Sequence, residues 1–201
     1  MDARVVDLLR RATAAFDTLN VPYGIGGALA MRAHGYSRET TDVDVFAFDE
    51  SRGPIIRALR GHGLTVAPVL QPFHYVAYDP AHGDPEIRID VLFPAGEPEL
   101  SGVEYAERKM IEGVNTQVFP VNLLVASKFY SDRDEDHHDI GAMLHRGIFD
   151  PSEVERLIAS IDAEGAADFH TEIAAALRPR PARKRPTRKP KTCFLTARTS
   201  V

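Results

Sequence analysis

Residues 41–45, Thr-Asp-Val-Asp-Val, leave a folding chain little choice. On a strand successive side chains alternate faces, so Asp42 and Asp44 project from one side while Val43, Val45 and Ala47 pack on the other. Two carboxylates that close repel each other unless one takes up a proton or a divalent cation lies between them. An oxygen-only site of this kind suits magnesium. Residues 86–93, Glu-Ile-Arg-Ile-Asp-Val-Leu-Phe, repeat the pattern. Ile87, Ile89, Val91 and Phe93 form one face, and Asp90 shares the other with Arg88. If the two strands are neighbours, three carboxylates meet on one patch of sheet, enough to clamp two metal ions. Upstream, Gly26-Gly27 leads into a short helix. Without Cβ atoms, backbone N–H groups there can approach an anion closely, and the helix dipole favours its charge.

These residues resemble the nucleotidyltransferase superfamily typified by DNA polymerase beta, and within it the minimal and AbiEii-like members of toxin–antitoxin and phage-defence systems. The resemblance covers most of residues 20–150. Its glycine pair is Gly26-Gly27, and its Arg-x-Thr-x-Asp-x-Asp pattern falls on Arg38-Glu39-Thr40-Thr41-Asp42-Val43-Asp44. A Leu-x-x-x-Lys helix followed by Arg and paired aspartates falls on Leu124 to Lys128, Arg133, Asp136 and Asp139. A glutamate common near the start of that helix is replaced by Asn122.

The resemblance implies transfer of an NMP from an NTP to a hydroxyl, with two magnesium ions held by Asp42, Asp44 and Asp90. Lys128 is implied as a point charge on the β or γ phosphate. Gly26, Gly27, Arg38, Thr41 and Asp139 complete the implied nucleotide site. Asp136 and Asp139, three apart on a helix, share a face and either orient Lys128 or the acceptor, or are surface acids. The acceptor implied first is tRNA or another macromolecule, with a cognate antitoxin as partner. The alternatives are a small antibiotic of aminoglycoside type, or a noncatalytic antitoxin or regulatory module. Retention of all three carboxylates argues against the last.

The expected fold is α+β, a mixed sheet with flanking helices and a C-terminal helical region. Residues 1–120 form the core, 121–177 the helical region and 178–201 a basic disordered tail. Strands are expected over about 64–68, 74–78 and 87–93, and a hairpin over 102–120. Helices are expected over about 1–20, 28–34, 54–59, 121–131 and 136–145, with another starting at Asp150-Pro151-Ser152-Glu153, where Glu153 would close a capping box. His34, His74, His137, His138 and His145 lack the spacing of a zinc site.

Charge divides the chain. Of its 24 Lys and Arg, nine fall in residues 178–201 with none of its 29 acids, so the part before them carries about −14. The acidic body suits a cationic small molecule, the basic tail RNA. No apolar run reaches the roughly 20 residues of a membrane span, no N-terminal leader is evident, and the lone Cys193 rules out an internal disulfide. A cytoplasmic location is the simplest expectation.

Overall fold

A computed structural model describes residues 1–70, 72–131 and 133–177; the basic segment 178–201, with Cys193, lies outside the described residues. Helix α1 (Ala3–Leu19) starts where the Asp2 carboxylate accepts the Arg4 backbone N–H and stops at Asn20, which adopts a left-handed conformation. Its buried stripe, Val5, Leu8, Leu9, Ala12 and Phe16, is the one its spacing demands. Then follow β1 (Tyr23–Ile25), α2 (Gly27–Ala33), β2 (Asp42–Ala47), α3 (Arg52–Gly61), β3 (Thr65–Leu70), β4 (His74–Tyr78) and β5 (Arg88–Leu92). After α4 (Glu99–Glu104) the hairpin β6 (Glu107–Ile111) and β7 (Val114–Val118) leads to α5 (Val121–Ser131), α6 (Asp134–His145), α7 (Pro151–Ile161) and α8 (Ala163–Ala176).

The seven strands form one mixed sheet in the order β3-β4-β5-β2-β1-β7-β6, so the α+β expectation holds. Strand β2 runs parallel to β5 and antiparallel to β1. The odd-numbered side chains of β2 and β5, Val43, Val45, Ala47, Ile89 and Val91, are fully buried, and both strands pack against α1. A single apolar core continues from Val5 to Ile173. The even-numbered side chains face the opposite way, and they carry the site.

Two local expectations are corrected. Residues 102–120 are not all hairpin, because α4 precedes it. Gly102 lies inside that helix against its low helical propensity. There a Cβ would lie 2.4 Å from Phe119 Cε2, and one on Gly24 would lie 2.5 Å from Phe119 Cδ1. The fully buried Phe119 ring is thus held between two glycines. The capping box at Asp150 is half made: its carboxylate accepts the Ser152 N–H, but Glu153 turns away to accept the Asn122 amide. Asp162 ends α7 and also caps α8, accepting from Glu164 and Gly165 N–H groups.

Substituting Gly102→Ala tests the glycine vice. At an unencumbered helix position the change stabilises by up to ~1 kcal/mol. Here the methyl group meets the ring, and a loss of about 1–3 kcal/mol is expected from urea unfolding midpoints.

Candidate active site

The parallel register sets Asp42 opposite Arg88 and Asp44 opposite Asp90. Oxygen atoms of Asp42, Asp44 and Asp90 all lie within 4.8 Å of one another. The sheet therefore brings together the three carboxylates at its centre. Asp44 shows the consequence: burial, and then the neighbouring charges of Asp42 and Asp90, push its carboxyl up to about 7, against the opposing pull of Arg133 and Lys128. A divalent cation among these oxygens removes that repulsion, and an all-carboxylate donor set fits magnesium.

Gly26 and Gly27 stand directly beside this cluster. Gly27 has φ +54°, and a Cβ there would lie 1.8 Å from Asp44 Oδ2. Gly26 donates its N–H to the Asp44 carbonyl at 3.0 Å, and a Cβ on it would strike the Phe46 ring at 2.5 Å. The pair thus lets the turn lie flat on the second aspartate. The hydroxyl that reaches the carboxylate face is that of Thr40, which donates to Asp42 Oδ1. Thr41, the residue expected from sequence, has an exposed side chain and uses its carbonyl to accept the Arg88 N–H, because strand alternation gives Thr40 the parity of Asp42.

Asp90 is nearly buried, 5 % exposed, and held from two sides. His74 Nε2 lies 2.7 Å from its Oδ1, and Arg88 Nε donates to Oδ2 at 3.0 Å. His74 is therefore not adrift in a histidine cluster. Of the other histidines, His34 Nε2 lies 2.8 Å from the Phe119 carbonyl and His137 Nδ1 lies 2.9 Å from Glu172.

On the far side of the glycine turn Lys128 is 5 % exposed and donates to Asp136 Oδ1 at 2.5 Å and Asp139 Oδ2 at 2.9 Å. Both aspartates are buried at 1 % exposure, so neither is a surface acid. Burial would raise the Asp136 carboxyl, but hydrogen bonds from Lys128 and Ser131, the Lys128 charge and Arg133 outweigh it and lower it. Arg133 Nε donates to Asp136 at 2.7 Å, and Arg38 Nε to Asp139 at 3.2 Å. The result is an alternating chain, Arg133–Asp136–Lys128–Asp139–Arg38. Arg38 also pairs with Glu135 at 2.9 Å. Lys128 has three N–H groups, two of which are committed here.

A cavity of about 520 Å³ opens over the carboxylates, walled by Gly27, Asp42, Asp44, Asp90, Lys128 and Arg133 among others. A neighbouring one of about 480 Å³ is bordered by Arg38, Thr40, Thr41 and again Asp42, Asp44, Lys128 and Arg133. Glu99 and Tyr130 line the first cavity without having been singled out from sequence, and so do His74, weighed there only as a zinc ligand, and Arg133, named there only as part of the motif. Only strand register could have revealed His74. Arg133 stood in the motif and its exposed guanidinium could have been weighed there. Among the described residues no helix is long and apolar enough to cross a membrane.

No family model matches the sequence, and no curated protein matches it. Solved structures do. The solution structure of the antibiotic-resistance factor ANT(2'')-Ia superposes with a TM-score of 0.62 at 25 % identity, over 85 % of this chain and 98 % of that one. The crystal structure of ANT(2'')-Ia in complex with adenylyl-2''-tobramycin gives 0.50 at 20 % identity, over 87 % and 97 %. The lincomycin-bound lincosamide antibiotic adenylyltransferase LnuA gives 0.51 at 13 % identity, over 74 % and 98 %. Fold and site together define a nucleotidyltransferase. The chain belongs to the nucleotidyltransferase superfamily.

Two measurements test this site. Gly27→Ala places a methyl group on Asp44, and magnesium binding measured by calorimetry is expected to weaken at least ~10-fold, the size of a disturbed outer-shell contact. Asp44 supplies the pH dependence. Its carboxyl is protonated below about 7 in the metal-free protein, and a metal ligand must be ionised. Magnesium affinity is therefore expected to fall by up to ~10-fold per pH unit below 7 and to level off above it.

Proposed function

We propose that the chain transfers a nucleoside monophosphate from an NTP to a hydroxyl of a small, positively charged acceptor. The observation that carries this reading is the charge of the main cavity. Five acids line it, Asp42, Asp44, Asp90, Glu99 and Asp136, against three fixed cations, Arg88, Lys128 and Arg133. An NTP with two magnesium ions is nearly neutral, so an acidic surplus remains for the second substrate, and it favours a cation over a polyanion. A volume of about 520 Å³ is that of a small-molecule site. The likeness to ANT(2'')-Ia, a resistance factor seen with an adenylylated tobramycin, supports the same acceptor class.

In this reading Asp42, Asp44 and Asp90 would hold two magnesium ions, which would supply charge neutralisation at the phosphates and a lower pKa for the acceptor hydroxyl. The Gly26-Gly27 turn lets the backbone that opens α2 approach the triphosphate without a side chain in the way. Lys128 offers it the remaining N–H, and Arg133, 73 % exposed, closes over it. Asp90 orients the acceptor hydroxyl and takes up its proton. The hydroxyl oxygen attacks the α phosphorus in line, pyrophosphate leaves, and positioning and charge neutralisation supply the rate.

The expectations of tRNA as acceptor and of a cognate antitoxin came from the family resemblance, and the basic residues 178–201 that suited RNA lie outside the described residues. The acceptor alternatives become arms of one experiment. Protein, magnesium and each labelled NTP are incubated with tobramycin, with lincomycin, and with total tRNA. Label on a small molecule supports the proposal; label on tRNA alone replaces it with the macromolecular reading. Asp42→Asn and Asp44→Asn are each expected to lower transfer by at least ~10²-fold, more than loss of an outer-shell partner does.

A further inference from the structure

Strand register extends the site beyond its carboxylates. Across β3, β4, β5 and β2, the pairings Leu70↔His74, His74↔Leu92 and Leu92↔Phe46 place four side chains in one row on the carboxylate face. The adjacent row is Ala67, Val76, Asp90 and Asp44. On the opposite face the same strands bury Val66, Ala77, Val91 and Val45. The carboxylate face is open at its outer end: Leu70 is 64 % exposed, and His74, Val76 and Leu92 are only half-buried. An exposed leucine in line with a cavity wall is an apolar strip that begins at the site and runs away from it.

Sheet order says which substrate meets that strip. Gly26-Gly27 follows β1, Asp44 is on β2, Asp90 on β5, and the strip continues over β4 to β3. The helix α2 that the glycines open packs against α5, which carries Lys128, so a phosphate held by the Gly26-Gly27 turn and Lys128 lies on the β1 side of Asp44. In an in-line displacement the attacking oxygen enters opposite the leaving group. With pyrophosphate leaving on the β1 side, the acceptor enters over β5, β4 and β3. There Asp90, engaged by His74 and Arg88, borders the cavity whose acids outnumber its fixed cations, and Leu70, Val76 and Leu92 present hydrocarbon.

We infer that the acceptor is an amphiphilic cation: a hydroxylated amine with an apolar arm, its hydroxyl at Asp90 and its arm along Leu92, Val76 and Leu70. This rests on the small-molecule reading above and narrows it. A wholly polar polyamine leaves the strip wet, whereas an apolar arm covers it and gains the free energy of removing both surfaces from water.

The test uses the full chain, magnesium and the preferred NTP, with two probes. Tobramycin carries only hydroxyl and amino groups on its rings; lincomycin joins a sugar to an alkylated proline. Wild type and Leu70→Asp are compared, after thermal unfolding has shown the exposed substitution to be tolerated. The expected result is a KM for lincomycin at least ~10-fold below that for tobramycin. Leu70→Asp should raise the lincomycin KM by ~10-fold, the scale of one or two methylenes in an apolar pocket, with the KM for NTP unmoved. Val76→Ser should act in the same direction. Equal use of both probes, or a lincomycin KM insensitive to Leu70→Asp, overturns the inference and leaves the small-molecule reading standing. A rise in the KM for NTP gives the strip to the nucleobase and overturns it as well. Transfer to neither probe with transfer to tRNA overturns both readings together.

Discussion

Repulsion among Asp42, Asp44 and Asp90 is the constraint around which the rest of the molecule is arranged. Three carboxylates within 4.8 Å of one another are unfavourable in any fold, and here they are fixed by backbone pairing. Parallel pairing of β2 with β5 sets Asp44 beside Asp90, and the fully buried apolar residues behind them lock that register, since a slip of one residue would bury the acids and expose the valines. The core therefore supplies the free energy that holds like charges together. Asp44 is displaced upward to about 7, first by burial and then by the neighbouring charges of Asp42 and Asp90.

Two kinds of neighbour limit the strain. One is permissive: Gly27 in its left-handed conformation lets the chain cross Asp44 where a side chain would collide with it. The other is compensating: His74 and Arg88 hold Asp90, Thr40 holds Asp42, and Arg133 and Lys128 favour ionised Asp44 from a distance. The compensating cations are themselves fixed. Lys128 is buried, and a buried ammonium without partners would be very costly. Asp136 and Asp139 supply those partners and also bind Arg133 and Arg38. Removing either aspartate disturbs an arginine as well as the lysine, so the five residues act as one unit.

Much of this was legible in the chain and some was not, for definable reasons. Alternation in 42–47 and 86–93 revealed which side chains share a face, because period two is a property of the strand alone. Whether those faces adjoin is a property of register between segments forty residues apart, and His74 entered the site only through it. The same limit hid α4. Gly102 opposes a helix locally, and only the Phe119 ring, brought from β7's end, explains why a glycine is required there. Thr41 and Thr40 illustrate a finer limit: both stand in the motif, and parity decides which hydroxyl meets the acids. Lys128 was visible as a cation but not as a buried one, since burial depends on α6 folding back across α5.

The asymmetry of the sheet about β2 carries the chemistry further than the carboxylates do. On the β1 side lie groups suited to anions: a side-chain-free turn and, on the helix packed against α2, a buried ammonium with one N–H to spare. On the β5 side lie an acid held by histidine and arginine and then a half-open face with leucines. A symmetric cluster of three aspartates would bind cations without distinguishing the two ends of a reacting phosphate. In the proposed reaction, setting it between the glycine turn and the apolar face beyond Asp90 gives the displacement a direction, because leaving group and nucleophile must occupy opposite ends. That direction follows from strand order and from the position of one glycine pair, and it holds whichever base the nucleotide carries.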